Sequence, residues 1–332
     1  MPSGLLIRLR PAGPWRIGPD SGDRDRVDRI YHSDSLYSAV TSAMARLGTL
    51  DEWIAATASS PEPAVRFSSC FPYHGDTLLV VPPRNLWPPP PSSKIRWKGA
   101  RFVPLAVVES LLAGKPPSED AWTVDGESEC LMPATATAGS TLFRAAVRSS
   151  AAIDRNGDAA TAHSVACLEF TTGSGFWFIA EFADDAAHEK WSERVKGAIR
   201  LLADSGFGGE RSRGWGRSQA PEFRDGQALI QAPTSEIETG HWMLSLFHPA
   251  ASDTVNWQRG DYSLTTRGGR VESESGWGQR KKNTRMVAEG SVLVSAAQPR
   301  GAAANVAPDG FAHPVYRAGF ALSLPVPLKV PA

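Results

Sequence analysis

The stretch "SGFGGERSRGWGRS", residues 205–218, combines five glycines with three arginines, and the interpretation of the whole chain starts from it. Glycine is costly to order, so a segment this rich in glycine indicates that something lies very close to its main chain. Guanidinium groups favour an anionic neighbour, above all a phosphate. We therefore expect a phosphate-bearing ligand here; the alternative is an ordinary turn whose arginines are solvated.

The position of this glycine-rich loop argues against the common nucleotide-binding motifs. A helix is predicted before the loop, from about Asp184 to Asp204, and Gly206 is expected to end it. The predicted buried stripe of this helix is Trp191, Val195, Ile199 and Leu202. P-loops and dinucleotide-binding loops instead precede their helix. What remains is a collar of backbone N–H groups that follows a nucleic-acid strand, with Trp215 available to stack on a base.

Composition indicates a globular protein with a substantial core. The chain has 332 residues, of which 42% are hydrophobic, and its net charge is zero, which argues against a nonspecific polyanion binder. No apolar run is long enough to span a membrane, and the first residues lack a signal-peptide core, so we expect a cytoplasmic protein. Cys70, Cys130 and Cys167 form no CxxC pair and are expected to be reduced thiols.

Motifs for catalysis are absent from the sequence. No HExxH or GxSxG pattern occurs, and the seven histidines are scattered. His32, just before a predicted helix, is the one histidine suited to acid–base chemistry on RNA. The alternative is a structural contact at the helix N-terminus. We expect no catalytic residue, no metal and no cofactor.

The order of predicted elements indicates a ferredoxin-like, RRM-type β-α-β-β-α-β unit over residues 1–225. A strand at 5–10 precedes a helix that Ser33 or Asp34 is expected to cap. A long hairpin at about 141–170, with its turn near 155–158, then leads to a strand, the second helix, the glycine-rich loop and a last strand. After a polar linker near 225–240, residues 226–332 are predicted to form a smaller ferredoxin-like or β-rich domain.

A second basic segment, "GQRKKNTR", supplies Arg280, Lys281 and Lys282. Residues 194–217 contain six basic and two acidic side chains. Together the two segments can form a positive stripe, whose affinity for nucleic acid comes from counterion release and therefore depends on salt. Either segment can equally be an ordinary solvated surface.

Seven stretches together resemble a known family over nearly the whole chain. In chain order they are "HSDSLYSAV", "SSCFPYHGDTLLVVPP", "RWKGARFVPL", "VRSSAAIDRNGDAA", "SGFGGERSRGWGRS", "KKNTRMVAEGS" and "HPVYRAGFALSLPV". They resemble the RAMP superfamily, and within it subunit four of the type III-A CRISPR Csm effector complex. The glycine-rich motif is shared with other RAMP proteins, whereas the ordered set is far more specific.

The resemblance implies an α+β fold with two ferredoxin-like (RRM-like) domains, a protruding β-hairpin thumb and the glycine-rich loop. It implies a noncatalytic ribonucleoprotein subunit in antiviral defence that binds the 5′ repeat-derived tag of crRNA. The implied partners are crRNA, target RNA near the tag, the backbone RAMP subunits, and the large polymerase-like signalling and DNase subunit, which the family docks at the foot of the complex.

The RNA-facing candidates come from matching motifs and from the second basic segment. They are Ser33, Asp34, Arg148, Ile153, Asp154, Arg155, Gly206, Gly208, Gly209, Arg211, Ser212, Arg213, Gly214, Gly216, Arg280, Lys281 and Lys282. Two other functions stay open. One is a metal-independent crRNA-processing endoribonuclease of the same superfamily, with His32 as general acid or base. The other is a small-nucleotide-binding regulatory domain, which the loop polarity disfavours.

Overall fold

The computed structural model describes residues 4–19, 21–89, 96–115, 117–136, 141–153, 160–226, 238–271 and 278–328. The helices are α1 (Ser33–Arg46), α2 (Leu50–Ala56), α3 (Leu105–Leu112) and α4 (Asp185–Ser205), with 3-10 turns at Glu119–Ala121 and Arg211–Arg213. The strands of the first half are β1 (Gly4–Leu9), β2 (Val65–Phe67), β3 (Phe71–His74), β4 (Thr77–Val80), β5 (Val103–Pro104), β6 (Trp122–Asp125), β7 (Cys130–Pro133), β8 (Phe143–Ile153), β9 (Ala160–Phe170), β10 (Ser174–Phe182) and β11 (Glu222–Gly226). Those of the second half are β12 (Thr239–Met243), β13 (Leu264–Arg267), β14 (Thr284–Val287), β15 (Val292–Leu293), β16 (Ala303–Asn305), β17 (Tyr316–Ala318) and β18 (Ser323–Pro327).

The largest sheet has seven strands in the order β11-β1-β10-β3-β4-β5, and β2 also pairs with β10. All of its pairs are antiparallel. The first strand is central, a helix follows it, and a second helix precedes the last strand, as in a β-α-β-β-α-β unit. Helices combined with mainly antiparallel sheets confirm the predicted α+β class.

The core lies between this sheet and the apolar faces of α1 and α4. Leu5, Ile7 and Leu9 of β1 are fully buried, because alternate side chains of a strand share one face. Leu36, Val40, Ala43 and Met44 of α1 and the four predicted residues of α4 are also buried in one continuous cluster. The helical periodicity therefore predicted the buried face of α4 correctly. The same spacing over α1 also included Leu47, which is 46% exposed because it lies at the C-cap, after the last residue of the helix.

The N-terminal cap was predicted wrongly for α1, whereas α4 begins close to the predicted residue. Asp184 caps α4, because its side chain accepts a hydrogen bond from the Ala187 N–H at 2.7 Å. The prediction that Ser33 or Asp34 caps α1 is wrong: His32 occupies the cap position and makes no side-chain capping bond. Both Ser33 and Asp34 are instead drawn into long-range contacts with the second half of the chain.

Strands β8 and β9 form the predicted long hairpin. The two strands pair over eleven residues each, from Phe143 opposite Phe170 to Ile153 opposite Ala160. Most side chains of β8 beyond Phe143 are exposed, including Val147 at 58%. The predicted turn near 155–158, together with Asp154 and Arg155, lies outside the described residues.

The described residues of the second half, 238–271 and 278–328, form short antiparallel strands without a helix. They make a three-stranded sheet in the order β15-β12-β18 and two strand pairs, β13 with β14 and β16 with β17. The described part of residues 226–332 therefore contains strands, and its assignment as a smaller ferredoxin-like or β-rich domain stays a prediction. The division near residue 225 stays a prediction, because residues 227–237 are not described and one core cluster contains side chains from both halves.

Within the ranges described above, no helix is long and apolar enough to cross a membrane. Cys70, Cys130 and Cys167 are all buried free thiols. Burial raises the pKa of each of them above the ordinary cysteine value, so the thiols are protonated at neutral pH.

Candidate nucleic-acid interface

A groove with a volume of about 890 Å³ brings together three segments that are far apart in sequence. One wall is the glycine-rich loop with residues 16–19, 21 and 22, another is α1 from Asp34 to Ser42, and the third comes from the second half of the chain. Its lining has seven basic side chains and two acidic ones. The basic ones are Arg16, Arg211, Arg267, Arg270, Arg280, Lys281 and Arg317. This surplus of positive charge suits an anionic ligand.

The glycine-rich loop reaches the groove because Phe207 anchors it to the core. The Phe207 ring is fully buried and stacks on Trp15, with ring centroids 5.1 Å apart. The Phe207 N–H donates to the Gly216 carbonyl at 2.9 Å, which closes the loop on itself. Gly206, Gly208, Gly209 and Arg211 line the groove, as part of one wall.

Gly208 shows that the first neighbour of this loop is the protein itself. Its φ of +71° lies in the left-handed region, and a Cβ there would overlap the Arg16 carbonyl oxygen. The neighbouring Gly209 N–H donates to that same carbonyl at 2.9 Å. The expectation that a ligand explains the missing side chain is therefore wrong at this position, although the other side of the loop faces the groove.

Asp34 lies in the groove as the shared partner of two arginines. Its carboxylate accepts two hydrogen bonds from Arg267, at 2.9 and 3.0 Å, and a further one from Arg317. Burial alone would raise the pKa of Asp34, but the two guanidinium groups hold it below the ordinary value. The carboxylate is thus ionised, and it holds the guanidinium groups of Arg267 and Arg317 beside α1.

His32 is buried between two carboxylates. Its Nδ1 lies 2.7 Å from Glu289 and its Nε2 lies 3.1 Å from Asp28. Burial would lower the pKa of His32, but Glu289 together with Asp28 raises it to about 9. Both ring nitrogens are engaged and the residue is 7% exposed, so this geometry favours the structural contact over acid–base chemistry on RNA.

Arg213 turns from the loop toward the β8–β9 hairpin. Its guanidinium contacts His163 at 3.1 Å and Ser150 at 3.4 Å, and it pairs with Glu210 at 3.2 Å. Glu210 also pairs with Arg24 at 3.1 Å. The loop, the hairpin and the Arg24 segment are therefore linked at the side of the groove.

The other candidates fall into separate places. Arg280 and Lys281 line the groove, whereas Lys282 pairs with Asp309 at 2.7 Å. Arg148 is exposed on β8 and pairs with Glu169 at 2.6 Å. Ser33 is buried, and its hydroxyl accepts from the Leu246 N–H at 3.0 Å. The remaining loop candidates are Ser212, which is exposed, Gly214, which is half-buried, and Gly216, which is buried.

Contact with RNA stays a prediction for all these residues. Only the backbone of Ile153 is described, at the end of β8, and Asp154 and Arg155 are not described. Trp215, the predicted stacking residue, is half-buried.

Several groove residues were missing from the sequence prediction. Arg16, Arg267, Arg270 and Arg317 all line the groove. A signal for two of them existed, because the stretch "RGGR" at 267–270 repeats the glycine–arginine composition of the loop. Arg317 lies within "HPVYRAGFALSLPV", one of the stretches that carry the family resemblance.

Comparison with a protein-family model supports that resemblance. Residues 238–326 match the model of the CRISPR Csm4 C-terminal domain. A comparison with curated protein sequences finds no match.

Solved structures share the fold of this chain over almost its whole length. A chain in the crystal structure of a Csm3–Csm4 subcomplex of the type III-A CRISPR-Cas interference complex is 16% identical, with a TM-score of 0.66, over 97% of this chain and 99% of that one. A chain in the crystal structure of a Csm1–Csm4 cassette in complex with cA4 is 19% identical, with a TM-score of 0.60, over 100% of both chains. At such identities the likeness shows the fold. Together with the domain match, it confirms the resemblance to subunit four of the Csm complex.

Proposed function

We propose that this chain, which has a Csm4 C-terminal domain within a Csm4-like fold, is a noncatalytic subunit of a type III-A CRISPR RNA-guided effector complex in antiviral defence. In this proposal it binds the 5′ repeat-derived tag of crRNA, and it contacts target RNA near that tag. It docks the large polymerase-like signalling subunit and contacts the backbone RAMP subunits. The similar structures support both protein partners, since they pair Csm4 with Csm1 and with Csm3. The cytoplasmic location stays a prediction.

The observation that carries the RNA-binding proposal is the basic groove. It joins the glycine-rich loop, Asp34 and the Arg280–Lys281 segment, three groups that the family motifs and the charge pattern selected separately. Planar guanidinium forks match phosphate oxygens in two-bond geometry, and the glycines of the loop leave that wall of the groove without side-chain bulk. A ribose-phosphate strand is the ligand that uses both features.

RNA binding can be measured with the purified full-length chain and labelled single-stranded RNA of the repeat-derived sequence. We expect Arg211→Ala to weaken binding by roughly 1–3 kcal/mol, because Arg211 lines the groove and its contact with phosphate is charge-assisted. Arg300→Ala is the matched control, since Arg300 pairs with Glu62 on the surface. If Arg211→Ala and Arg300→Ala bind the RNA with equal affinity, the result would count against the groove as the RNA-binding site.

Catalysis is tested on the same RNA in the presence of EDTA. The noncatalytic proposal expects intact RNA after prolonged incubation, because the buried His32 is held by Asp28 and Glu289 on both ring nitrogens. Cleavage products that disappear in His32→Ala would instead support the endoribonuclease alternative.

A further inference from the structure

Two buried arginines from the second half of the chain contribute to the lining of the groove. Arg267, at the end of β13, is 5% exposed, and Arg317, in β17, is 7% exposed. Both belong to the groove lining. Arginine is rarely this buried without a partner of opposite charge, so the arrangement around the two side chains needs an explanation.

Asp34 fixes the orientation of both guanidinium groups. Arg267 donates from Nε to Asp34 Oδ2 at 3.0 Å and from Nη2 to Oδ1 at 2.9 Å, a two-bond fork. Arg317 donates from Nη1 to Asp34 and from Nη2 to the Gly268 carbonyl. Since Asp34 itself sits in the first turn of α1, the two arginines are held against a rigid element.

Arg317 is incompletely satisfied by the protein. It shares its carboxylate partner with Arg267, and its Nε is buried without a hydrogen-bond partner in the part of the chain that the structure describes. A buried polar group without a partner is unfavourable, and a native structure that keeps one needs a reason. An anion that enters the groove beside Arg317 would supply the missing opposite charge.

We propose that Asp34 positions Arg267 and Arg317 as a clamp for one phosphodiester group of a single-stranded RNA in the groove. The inference rests on the proposed RNA-binding function and adds the part that the second half of the chain plays in it. Asp34 is then a positioning residue that acts through the two arginines. This role differs from the direct RNA contact that the family motif suggested for it.

The direction in which Asp34→Asn changes the RNA affinity distinguishes this positioning role from a simple charge effect. Asp34→Asn removes a negative charge from the groove, and Coulomb attraction alone would then make binding of a polyanion tighter. If Asp34 positions the clamp, the same substitution weakens binding, because an amide can no longer accept from both arginines as a carboxylate does.

The experiment measures fluorescence anisotropy of labelled single-stranded RNA of the repeat-derived sequence with the full-length chain, between about 50 and 200 mM salt. We expect Arg317→Gln, which keeps the Asp34–Arg267 pair, to raise Kd about tenfold. It should also reduce the slope of log K against log salt by roughly 0.7, the value for one lost phosphate contact on a single strand. Arg317→Lys should recover part of the affinity, because charge remains but the fork is lost. Arg300 is an ion-paired arginine of the same half, and Arg300→Gln should change neither Kd nor the salt slope.

The possible outcomes are distinct. If the wild-type chain binds no RNA, the proposed function fails and the clamp fails with it. If the wild type binds and Arg317→Gln keeps its affinity and salt slope, the clamp is overturned while RNA binding stands. Tighter binding by a folded Asp34→Asn variant overturns the positioning role. Circular dichroism checks folding, and if Asp34→Asn is unfolded, the two Arg317 variants decide.

Discussion

At the residue scale, His32 and Asp34 stand two positions apart at the start of α1, and each bonds to partners more than two hundred residues away. His32 contacts Glu289, and Asp34 contacts Arg267 and Arg317. All of these side chains are less than one-tenth exposed. Breaking a buried ion pair by removal of one partner is strongly destabilising, because the other charge stays buried. The charge state of His32 therefore affects the stability of the fold.

We expect the stabilising effect of His32 to depend on pH. Its pKa is raised from 6.5 to about 9 in the folded protein, so the charged ring contributes fully below pH 6.5. The contribution is lost as the pH rises through about 9. The difference corresponds to roughly 3 kcal/mol in the free energy of unfolding. Urea unfolding of the wild type and of His32→Gln between pH 6 and 9.5 measures it.

The two unfolding free energies should approach each other toward the alkaline end of that range. His313→Gln serves as the control, since His313 is exposed, and its difference from the wild type should show no such trend. A gap between wild type and His32→Gln that stays constant across the range would contradict the charged state assigned to His32.

At the scale of elements, the glycine-rich loop follows the longest helix of the described chain and folds back on itself. Phe207 enters the core, and Gly208 and Gly209 pack against the Arg16 carbonyl. Only the remaining side of the loop lines the groove. The glycines therefore serve the folding of the loop as well as access to its main chain.

A pair of alanine variants separates the cost of a left-handed φ from the cost of close packing against the Arg16 carbonyl. Gly208→Ala places a Cβ on the Arg16 carbonyl at a φ of +71°, whereas Gly214→Ala meets no atom within 4 Å at a φ of +80°. Both variants bear the cost of a left-handed alanine, about 1–2 kcal/mol. Only Gly208→Ala adds a steric overlap, so we expect its free energy of unfolding to fall further, by roughly another 1–3 kcal/mol. Chemical denaturation measures both, and equal losses would argue against the close packing at Gly208.

At the scale of the whole molecule, the two halves share contacts on several elements. The Trp242 indole donates to the Val81 carbonyl at 3.1 Å, and Tyr37 packs edge-on against Phe320. Buried side chains of both halves form one cluster. The groove depends on this contact, because its walls come from both halves.

We expect the chain to unfold in one cooperative transition, because loss of either half exposes the core of the other. Calorimetry should give equal calorimetric and van't Hoff enthalpies, and tryptophan fluorescence should change together with far-UV circular dichroism. Two separate transitions would show that the halves are stable independently. In that case the groove could open without unfolding of the first half.

The local pattern was sufficient for the regular elements. Four apolar side chains at helical spacing located the buried face of α4, and alternation located β1, because burial of one face follows from the geometry of each element. The α1 cap was predicted wrongly for the opposite reason. Ser33 and Asp34 have the right chemistry for a cap, but Leu246, Arg267 and Arg317 compete for them.

The sequence alone determined the α+β class, the hairpin, the loop behind α4 and the family resemblance, since each depends on neighbours in the chain or on ordered motifs. Only the tertiary structure decided which basic side chains line the groove together. Asp34 and Arg267 are 233 positions apart, and no periodicity relates them. Their contact depends on how two halves pack, and a carboxylate buried by that packing needs guanidinium partners wherever the fold brings them.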